Sequence, residues 1–234
     1  EAVRWLAEDA TFLRKIQQAE QDTALRLRLG VMGALVADFI PRLSVKLDTV
    51  FGEVELELAV GTTNEIVKRA EDLELDMNIA FNTPRIARLV VVHRREYHVG
   101  AVYAPGLAVT GGEDGTLAMS EALQHPLCLL SADLSGHTQL LAEMLSVRVN
   151  PRVAISSNSV SALLDALKAG RGIGFLTWPD VGHEVEAGRL IFRPLHKSRL
   201  SESLEISLCR GNTLGTATGK VVEQINEVLE EIGD

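Results

Sequence analysis

Three short segments of the sequence stand where a predicted strand leads into a predicted helix, a position that suits anion binding. They are Gly33-Ala34-Leu35, Thr62-Thr63-Asn64 and Ser156-Ser157-Asn158-Ser159. The first N–H groups of a helix have no partner within the helix and carry partial positive charge, so they favour a carboxylate or a phosphate. Glycine allows close approach of the backbone, and hydroxyl or amide side chains add hydrogen bonds. The same residues also suit a plain turn or a helix cap, so both interpretations stay open.

Other residues near predicted strand ends could complete a pocket. Ser131 ends a strand, and His137 stands near the start of the next helix, where it could face either a ligand or solvent. Most ligand pockets also need an apolar wall. The residues that could supply one are Ile79, Phe81, Phe175 and Trp178. Phe175 equally suits a buried core, whereas Trp178 stands where its strand leaves the sheet.

No pattern in the sequence indicates catalysis. There is no Gly-x-Ser-x-Gly elbow and no His-Glu-x-x-His motif, and the six histidines lack the spacing of metal ligands. The glycines Gly170, Gly172 and Gly174 follow a helix and precede a strand, which is the reverse of the dinucleotide-binding order. We therefore expect no catalytic residue, no metal and no cofactor.

Composition and charge restrict the class of protein. The chain has 234 residues, of which 46% are hydrophobic and 24% charged, as in soluble globular proteins. Its net charge of −9 disfavours tight binding to DNA by this part alone. No apolar run is long enough to cross a membrane, and the charged stretch from Glu1 to Gln21 is no signal peptide. Cys128 and Cys209 suit buried strand positions, with a redox pair as the alternative, and a cytoplasmic setting is expected.

The elements that must position these residues form two successive runs of strands and helices. In the first run we predict strands from Leu25, Val54–Val60, Leu75–Phe81, Leu89–His93 and His98–Tyr103, with helices Leu35–Leu47 and Glu65–Leu73. In the second we predict strands Pro126–Ser131, Pro151–Ile155, Gly172–Leu176, Leu190–Pro194 and Leu204–Cys209, with helices Thr138–Leu145, Val160–Ala169 and Lys220–Ile232. Such alternation predicts two α/β lobes with largely parallel sheets.

The first 24 residues read as one helix with a wide apolar side. Glu1 to Thr23 contains neither glycine nor proline, and its apolar residues recur at helical spacing. The helix could pack against its own domain or pair with a second chain. Pairing is favoured because the helix precedes the first strand and has no obvious place on the domain.

Five segments of the sequence resemble the effector-binding domains of LysR-type bacterial transcriptional regulators, in order and in spacing. They are Leu27-Arg-Leu-Gly30, Ile40-Pro41, a strand closing on Gly61-Thr62, Leu73 to Ala80, and Ala162 to Leu176. The resemblance covers residues 1 to about 230. It implies an α/β fold of two Rossmann-like lobes joined by two crossover strands, like the type 2 periplasmic binding proteins.

The resemblance also implies an organisation and a function. Residues 1–24 would be a linker and dimerisation helix, 25–97 with 211–234 the first lobe, and 98–210 the second. A small, anionic effector would bind between the lobes, contact Ser157 and Asn158, and change the lobe angle through hinges near Tyr97–Ala104 and Leu195–Ser203. Homodimers or homotetramers are expected, with DNA bound only by a separate helix-turn-helix domain. The alternatives are a solute-binding protein of a transport system and an enzyme of the same fold.

Overall fold

The structure is a computed structural model, and it describes residues 25–111, 114–131, 137–147 and 151–233. The helix predicted for residues 1–24 lies outside these ranges. The strands are β1 Leu25–Met32, β2 Val54–Gly61, β3 Met77–Phe81, β4 Leu89–His98, β5 Gly100–Tyr103, β6 Leu127–Leu130, β7 Val153–Ser157, β8 Gly174–Leu176, β9 Ile191–Pro194 and β10 Ser201–Cys209. The helices are α1 Phe39–Phe51, α2 Thr63–Glu71, α3 Met119–Ala122, α4 His137–Ser146, α5 Val160–Lys168, α6 Trp178–Glu186 and α7 Thr218–Ile232.

The first lobe is a mixed sheet covered by helices. Its strand order is β2-β1-β3-β10-β4, with β2, β1 and β3 parallel and β10 antiparallel to both of its neighbours. The alternating sequence of β1 buries Leu27 and Leu29 completely. Helices α1 and α7 pack against each other, and α2 packs on β1 and β3. This packing fixes the strand ends from which the polar loops leave the sheet.

The second lobe contains two smaller sheets. Strands β8, β5 and β9 form an antiparallel sheet, and β6 pairs with β7 in parallel. A bridge between Leu127 and Ile173 joins the two, with the Ile173 N–H donating to Pro126 O at 2.9 Å and the Cys128 N–H donating to Ile173 O at 2.9 Å. Helix α5 packs on β6 and β7. The backbone at Pro126 and Ile173 therefore holds the lobe together.

The predicted boundary of the second lobe at residue 210 is wrong for residues 201–209. Strand β10 pairs along its length with β3 and β4, so it belongs to the first sheet. The sequence places a crossing near Leu195–Ser203, and the chain has in fact re-entered the first lobe by Ser201. Strand β10 therefore completes the first-lobe sheet, whose other four strands all come before residue 99 in the sequence.

Two crossing segments join the lobes. They meet where the Val99 N–H donates to Leu200 O at 3.0 Å, next to the pairing of His98 with Ser201. A further link runs from α6 to the end of α7, where the Trp178 indole N–H donates to Ile232 O at 2.9 Å. Ala34, after β1, is buried in a core cluster of second-lobe residues. These contacts set one side of the space between the lobes.

Helix α6 has no counterpart among the elements predicted from the sequence. It carries Pro179 in its first turn, where a missing N–H costs nothing, and Gly182 in its middle. Thr177 and Asp180 have the spacing of a capping box, and the Asp180 carboxylate accepts from the Thr177 N–H at 2.9 Å and from its hydroxyl at 2.7 Å. The helix delivers Asp180 to the space between the lobes.

Candidate functional site

A cavity of about 400 Å³ lies between the two lobes. A space of this size suits a small metabolite, and a pocket whose walls come from two bodies can change shape when they move. Its residues come from the ends of β1, β2 and β3, from the start of α2, and from β10 on the first lobe. On the second lobe they come from β6, the start of α5, and α6. The cavity is therefore built at strand ends, as expected for α/β lobes.

The first lobe supplies an apolar wall and three polar positions. The apolar residues are Met32, Val36, Val60 and Phe81. Gly33 and Gly61 bring backbone close to the cavity, and the polar side chains are Thr62, Glu65 and Glu202. At the start of α2 the Glu65 carboxylate accepts from the Thr62 N–H at 2.8 Å and from the Thr62 hydroxyl at 3.0 Å. Thr62 thus serves as a helix cap while it faces the cavity.

The second lobe supplies mainly small polar groups. Its lining residues are Leu130, Asn158, Ser159, Val160, Ser161 and Asp180. The Ser159 hydroxyl caps α5 by accepting from the Ala162 N–H at 3.3 Å, and it lies 2.9 Å from the Ser161 hydroxyl. Asn158 is exposed and its side chain makes no hydrogen bond with any residue in the described ranges. Its amide is the polar group on this wall most available to a ligand.

Four of the thirteen residues proposed from the sequence line this cavity. They are Gly33, Thr62, Phe81 and Asn158. They come from three separate strand ends of the first lobe and from one loop of the second. Their convergence supports the expectation that ligand binds between the lobes, although the role of each stays a prediction.

Eight of the other nine lie away from the lining. Leu35 and Ile79 are in the first-lobe core, Phe175 is in the second-lobe core, and Ala34 is buried between the lobes. Thr63 donates its hydroxyl to Phe81 O at 3.0 Å, and the Ser157 hydroxyl accepts from the Ser159 N–H at 3.1 Å. The Ser131 N–H donates to Ser157 O at 3.0 Å, and its hydroxyl is buried. Trp178 faces a different cavity.

The ninth residue is His137. It is the first residue of α4, and its side chain lies outside what the structure describes. Its proposed contact with ligand therefore stays a prediction.

Trp178 lies beside the crossing segments rather than in the wall between the lobes. It lines a second cavity of about 530 Å³, whose wall also includes Tyr97, Val99 and Leu200. Its ring meets Phe192 edge to face, with the ring centroids 5.6 Å apart. Together with the hydrogen bond to Ile232, this contact makes Trp178 a link between the lobes.

We expect Trp178→Phe to lower the free energy of unfolding by about 1 kcal/mol, because it removes one hydrogen bond between the lobes and retains a ring against Phe192. Trp178→Ala, which removes the ring as well, should cost clearly more. Urea denaturation followed by circular dichroism measures both. Equal losses for the two variants would contradict the packing role of the ring.

The electrostatics of the cavity are acidic. Glu65, Asp180 and Glu202 line it, and no lysine, arginine or histidine is among its lining residues in the described ranges. Burial raises the pKa of Asp180, and the hydrogen bonds from Thr177 offset this only in part. Burial, with a contribution from the Asp180 charge, raises the pKa of Glu202 to about 8. Glu202 is therefore largely protonated at neutral pH.

Sequence reasoning missed Asp180, Glu202 and Glu65. The spacing Thr177-x-x-Asp180 matches a capping box, and so does Thr62-x-x-Glu65, so both carboxylates could have been placed at helix starts. Glu202 alternates with serines in a strand, and nothing in that pattern distinguishes a cavity from solvent. Only the pairing of β10 with β3 and β4 brings it there.

Both cysteines are buried within strands, as predicted. Burial raises the pKa of Cys128 and raises that of Cys209 to about 11, so neither thiol ionises readily. They belong to core clusters of different lobes. Their setting gives no support to the alternative of a redox pair.

Neither a metal cluster nor a membrane-spanning helix occurs in the described part of the chain. Its residues hold no group of three or more histidine, cysteine, aspartate or glutamate side chains suited to a metal ion. Likewise, none of its helices combines the length and the apolar character that a membrane crossing requires.

Comparison with protein families identifies the class. The family model named LysR substrate binding domain matches residues 20–230 of the sequence. The chain therefore belongs to this family of domains from transcriptional regulators. The prediction made from the sequence is confirmed. Comparison with curated proteins finds no match.

Solved structures of LysR-type regulators share the fold. HinK, a LysR family transcriptional regulator from Pseudomonas aeruginosa, is 16% identical with a TM-score of 0.71, over 97% of this chain and 80% of that one. The regulatory domain of Synechocystis PCC6803 CcmR in complex with 2-PG is 17% identical with a TM-score of 0.70, over 87% and 96%. The effector binding domain of QuiR in complex with shikimate is 9% identical with a TM-score of 0.71, over 89% and 99%. The predicted fold, like that of type 2 periplasmic binding proteins, is confirmed.

Proposed function

We propose that this domain binds a small-molecule effector between its two lobes and thereby controls the activity of a LysR-type transcriptional regulator. The observation that carries the proposal is the 400 Å³ cavity with walls from both lobes, which is lined by Thr62 of the first lobe and Asn158 of the second. The complexes of QuiR with shikimate and of CcmR with 2-PG add support, since both are effector domains of similar fold. A ligand held by both lobes stabilises one lobe angle over another, which is what a switch requires.

The transmission of the signal follows from the two crossing segments. A change in lobe angle is absorbed where Val99 and Leu200 meet, and the Trp178 contact with Ile232 limits it. The helix predicted for residues 1–24 and the lobes would then pass the change to a second copy, in a dimer or a tetramer. DNA would be bound by a separate domain of the regulator, in keeping with the net charge of −9 here.

The two alternatives have less support. A transport solute-binding protein shares the fold, but the family match is to regulators. An enzyme would need a nucleophile or a base positioned against substrate. Asp180 and Glu202 are carboxyl groups with raised pKa in a cavity, which is also the property of a general acid. We propose that they serve binding, and turnover of a bound compound would argue for the enzyme.

The test of the binding site is Asn158→Ala. Thermal unfolding against a panel of amines, sugars, amino acids and carboxylic acids should first find a stabilising compound, because binding to the folded state alone raises stability. We expect Asn158→Ala to weaken that compound at least about tenfold, since a lost hydrogen bond to a buried ligand group costs about 1.4 kcal/mol or more. Stability without ligand should stay unchanged, because Asn158 is exposed and makes no hydrogen bond within the described residues.

Ser156→Ala is the matched control. Ser156 is exposed, lies two residues earlier within β7, and does not line the cavity. It should leave affinity unchanged. If Asn158→Ala and Ser156→Ala bind the compound equally, the site lies elsewhere. Ser157 is a poorer choice for this test because its hydroxyl holds the Ser159 backbone.

A further inference from the structure

We infer that the effector carries a positively charged amine, which it presents to Glu202 and Asp180 in the cavity between the lobes. The inference rests on the proposed function, because it concerns the ligand of the same cavity. It differs from the anionic effector expected from the sequence. Three observations support it: the lining is acidic, two helix starts beside the cavity carry carboxylates of the chain, and carboxyl oxygens in the lining have no partner among the described residues.

The ionisable side chains of the described lining are all acids. Glu65 reaches the cavity from α2, Asp180 from α6 and Glu202 from β10, while the described lining includes no basic side chain. An anionic ligand would need to leave water without a basic side chain in the described lining to pair with it. An ammonium group would instead gain partners. The acidic lining of the cavity therefore favours a cationic ligand over an anionic one.

The helix starts beside the cavity already carry hydrogen-bond acceptors from the chain itself. At α2 the Glu65 carboxylate takes the Thr62 N–H and hydroxyl, and at α6 the Asp180 carboxylate takes the Thr177 N–H and hydroxyl. Each carboxylate places negative charge at the positive end of its helix. The start of α5 is capped by the Ser159 hydroxyl. At the start of α2 the chain itself thus supplies the negative charge that the sequence analysis assigned to a ligand.

Carboxyl oxygens remain available to a ligand. Asp180 is only 4% exposed, and both of its hydrogen bonds with Thr177 fall on Oδ2, which leaves Oδ1 without a partner in the described part of the chain. The carboxyl group of Glu202 makes no hydrogen bond or ion pair with any described residue. Both side chains line the cavity, so these oxygens can accept hydrogen bonds from the donors of a ligand. An ammonium group offers three.

The protonation of Glu202 predicts how the affinity for an amine depends on pH. The groups that face Glu202 are Asp180 from α6, Glu65 from α2, and Tyr97, its neighbour across the β4–β10 pair. The pKa of Glu202 is about 8, so an incoming ammonium meets a largely protonated acid below that pH. Binding the cation favours the carboxylate and releases the proton. Affinity for an amine must therefore rise as the pH increases toward 8, by a factor approaching about ten per pH unit.

The experiment compares three probes on one carbon skeleton: cyclohexylmethylamine, cyclohexylmethanol and cyclohexanecarboxylate. Their ring suits the wall of Met32, Val36 and Phe81, and only the polar group changes. Each is titrated at millimolar concentration into the wild-type domain by NMR at about pH 6 and pH 8. We expect the amine to bind best, and to bind at least about tenfold more tightly at the higher pH. Its binding should release a proton, which calorimetry in two buffers measures.

The variant is Glu202→Gln, which keeps the shape and removes the titration. It should weaken the amine at least about tenfold at pH 8 and abolish the pH dependence. The variant folds at least as stably at pH 8, because it removes a carboxylate that burial disfavours. Its thermal unfolding confirms this before any titration, and Ser156→Ala again serves as the unaffected control.

The outcomes separate this inference from the proposed function. If the alcohol or the carboxylate binds better and Asn158→Ala removes that binding, the cavity is the effector site and the inference is overturned. A carboxylate that binds more tightly at lower pH overturns it too, because Glu202 then acts as a neutral donor. Absence of amine binding at millimolar concentration also overturns it. If Glu202→Gln weakens the binding of the amine and Asn158→Ala does not, the result supports this inference but not the role that the proposed function gives to Asn158.

Discussion

Asp76→Ala is expected to lower the free energy of unfolding by about 3–5 kcal/mol, because it removes a fully buried carboxylate and leaves the donors of Arg28 and Thr213 without their acceptor. Its carboxylate accepts from the Arg28 guanidinium at 2.9 Å and from the Arg28 backbone N–H at 3.0 Å. It also accepts from the N–H and the hydroxyl of Thr213, at 2.9 and 3.0 Å. One carboxylate therefore joins β1, the start of β3 and the segment after β10.

The same group sets a dependence of stability on acid. Hydrogen bonds from Arg28 and Thr213 outweigh the opposing effect of burial and lower the pKa of Asp76 to about 2. In the unfolded chain its pKa is 3.8, so the folded state binds this proton less readily. The stabilisation is therefore complete above about pH 4 and is lost as the pH falls toward 2. It amounts to roughly 2 kcal/mol.

Denaturation in urea at about pH 7, 5 and 3 tests both statements. Asp76→Asn keeps the size and some of the hydrogen bonds, so it should cost less than the alanine variant at pH 7. Both variants should show a weaker fall of stability between pH 5 and pH 3 than the wild type. A loss under about 1 kcal/mol for Asp76→Ala would show that the ion pair contributes little beyond its hydrogen bonds.

The sequence predicts the first lobe well because local patterns and tertiary packing agree there. The alternation in β1 and β2 is visible in the sequence, and the segment from Leu73 to Ala80 contains both Asp76 and most of the fully buried strand β3. β4 is longer than predicted, running to His98, because it pairs with β10 over nearly its whole length. Partners so distant in sequence leave no local signal.

The acidic character of the cavity shows where sequence reasoning fails. The physics of helix starts is sound, and Thr62 and Asn158 do reach the cavity. The sequence also supplies Glu65 and Asp180 at the third position of two helices, and these carboxylates bring negative charge to the helix starts beside the cavity. Helix α6 was not predicted because Pro179 and Gly182 disfavour a helix by propensity. Its capping box is the local signal that outweighs them.

Gly172 lies in one of the five segments that resemble the family, and its replacement should have an effect comparable to that at Asp76. Its φ is +153°, and a Cβ there would lie 2.0 Å from the carbonyl oxygen of Pro126. That oxygen accepts the Ile173 N–H at 2.9 Å, in the bridge that joins the two sheets of the second lobe. Backbone cannot move there without breaking the bridge. We expect Gly172→Ala to cost about 3 kcal/mol or more.

Gly170→Ala is the matched control two residues away. Gly170 also has a positive φ, +69°, but no atom lies within 4 Å of the position its Cβ would take. Its cost should be limited to the left-handed conformation, about 1–2 kcal/mol. Urea denaturation of both variants separates crowding from conformation, and equal losses would mean that the approach to Pro126 is relieved cheaply. Because β6 and α5 carry Leu130 and Val160 into the cavity, Gly172→Ala should also weaken any compound that binds between the lobes, whereas Gly170→Ala should not.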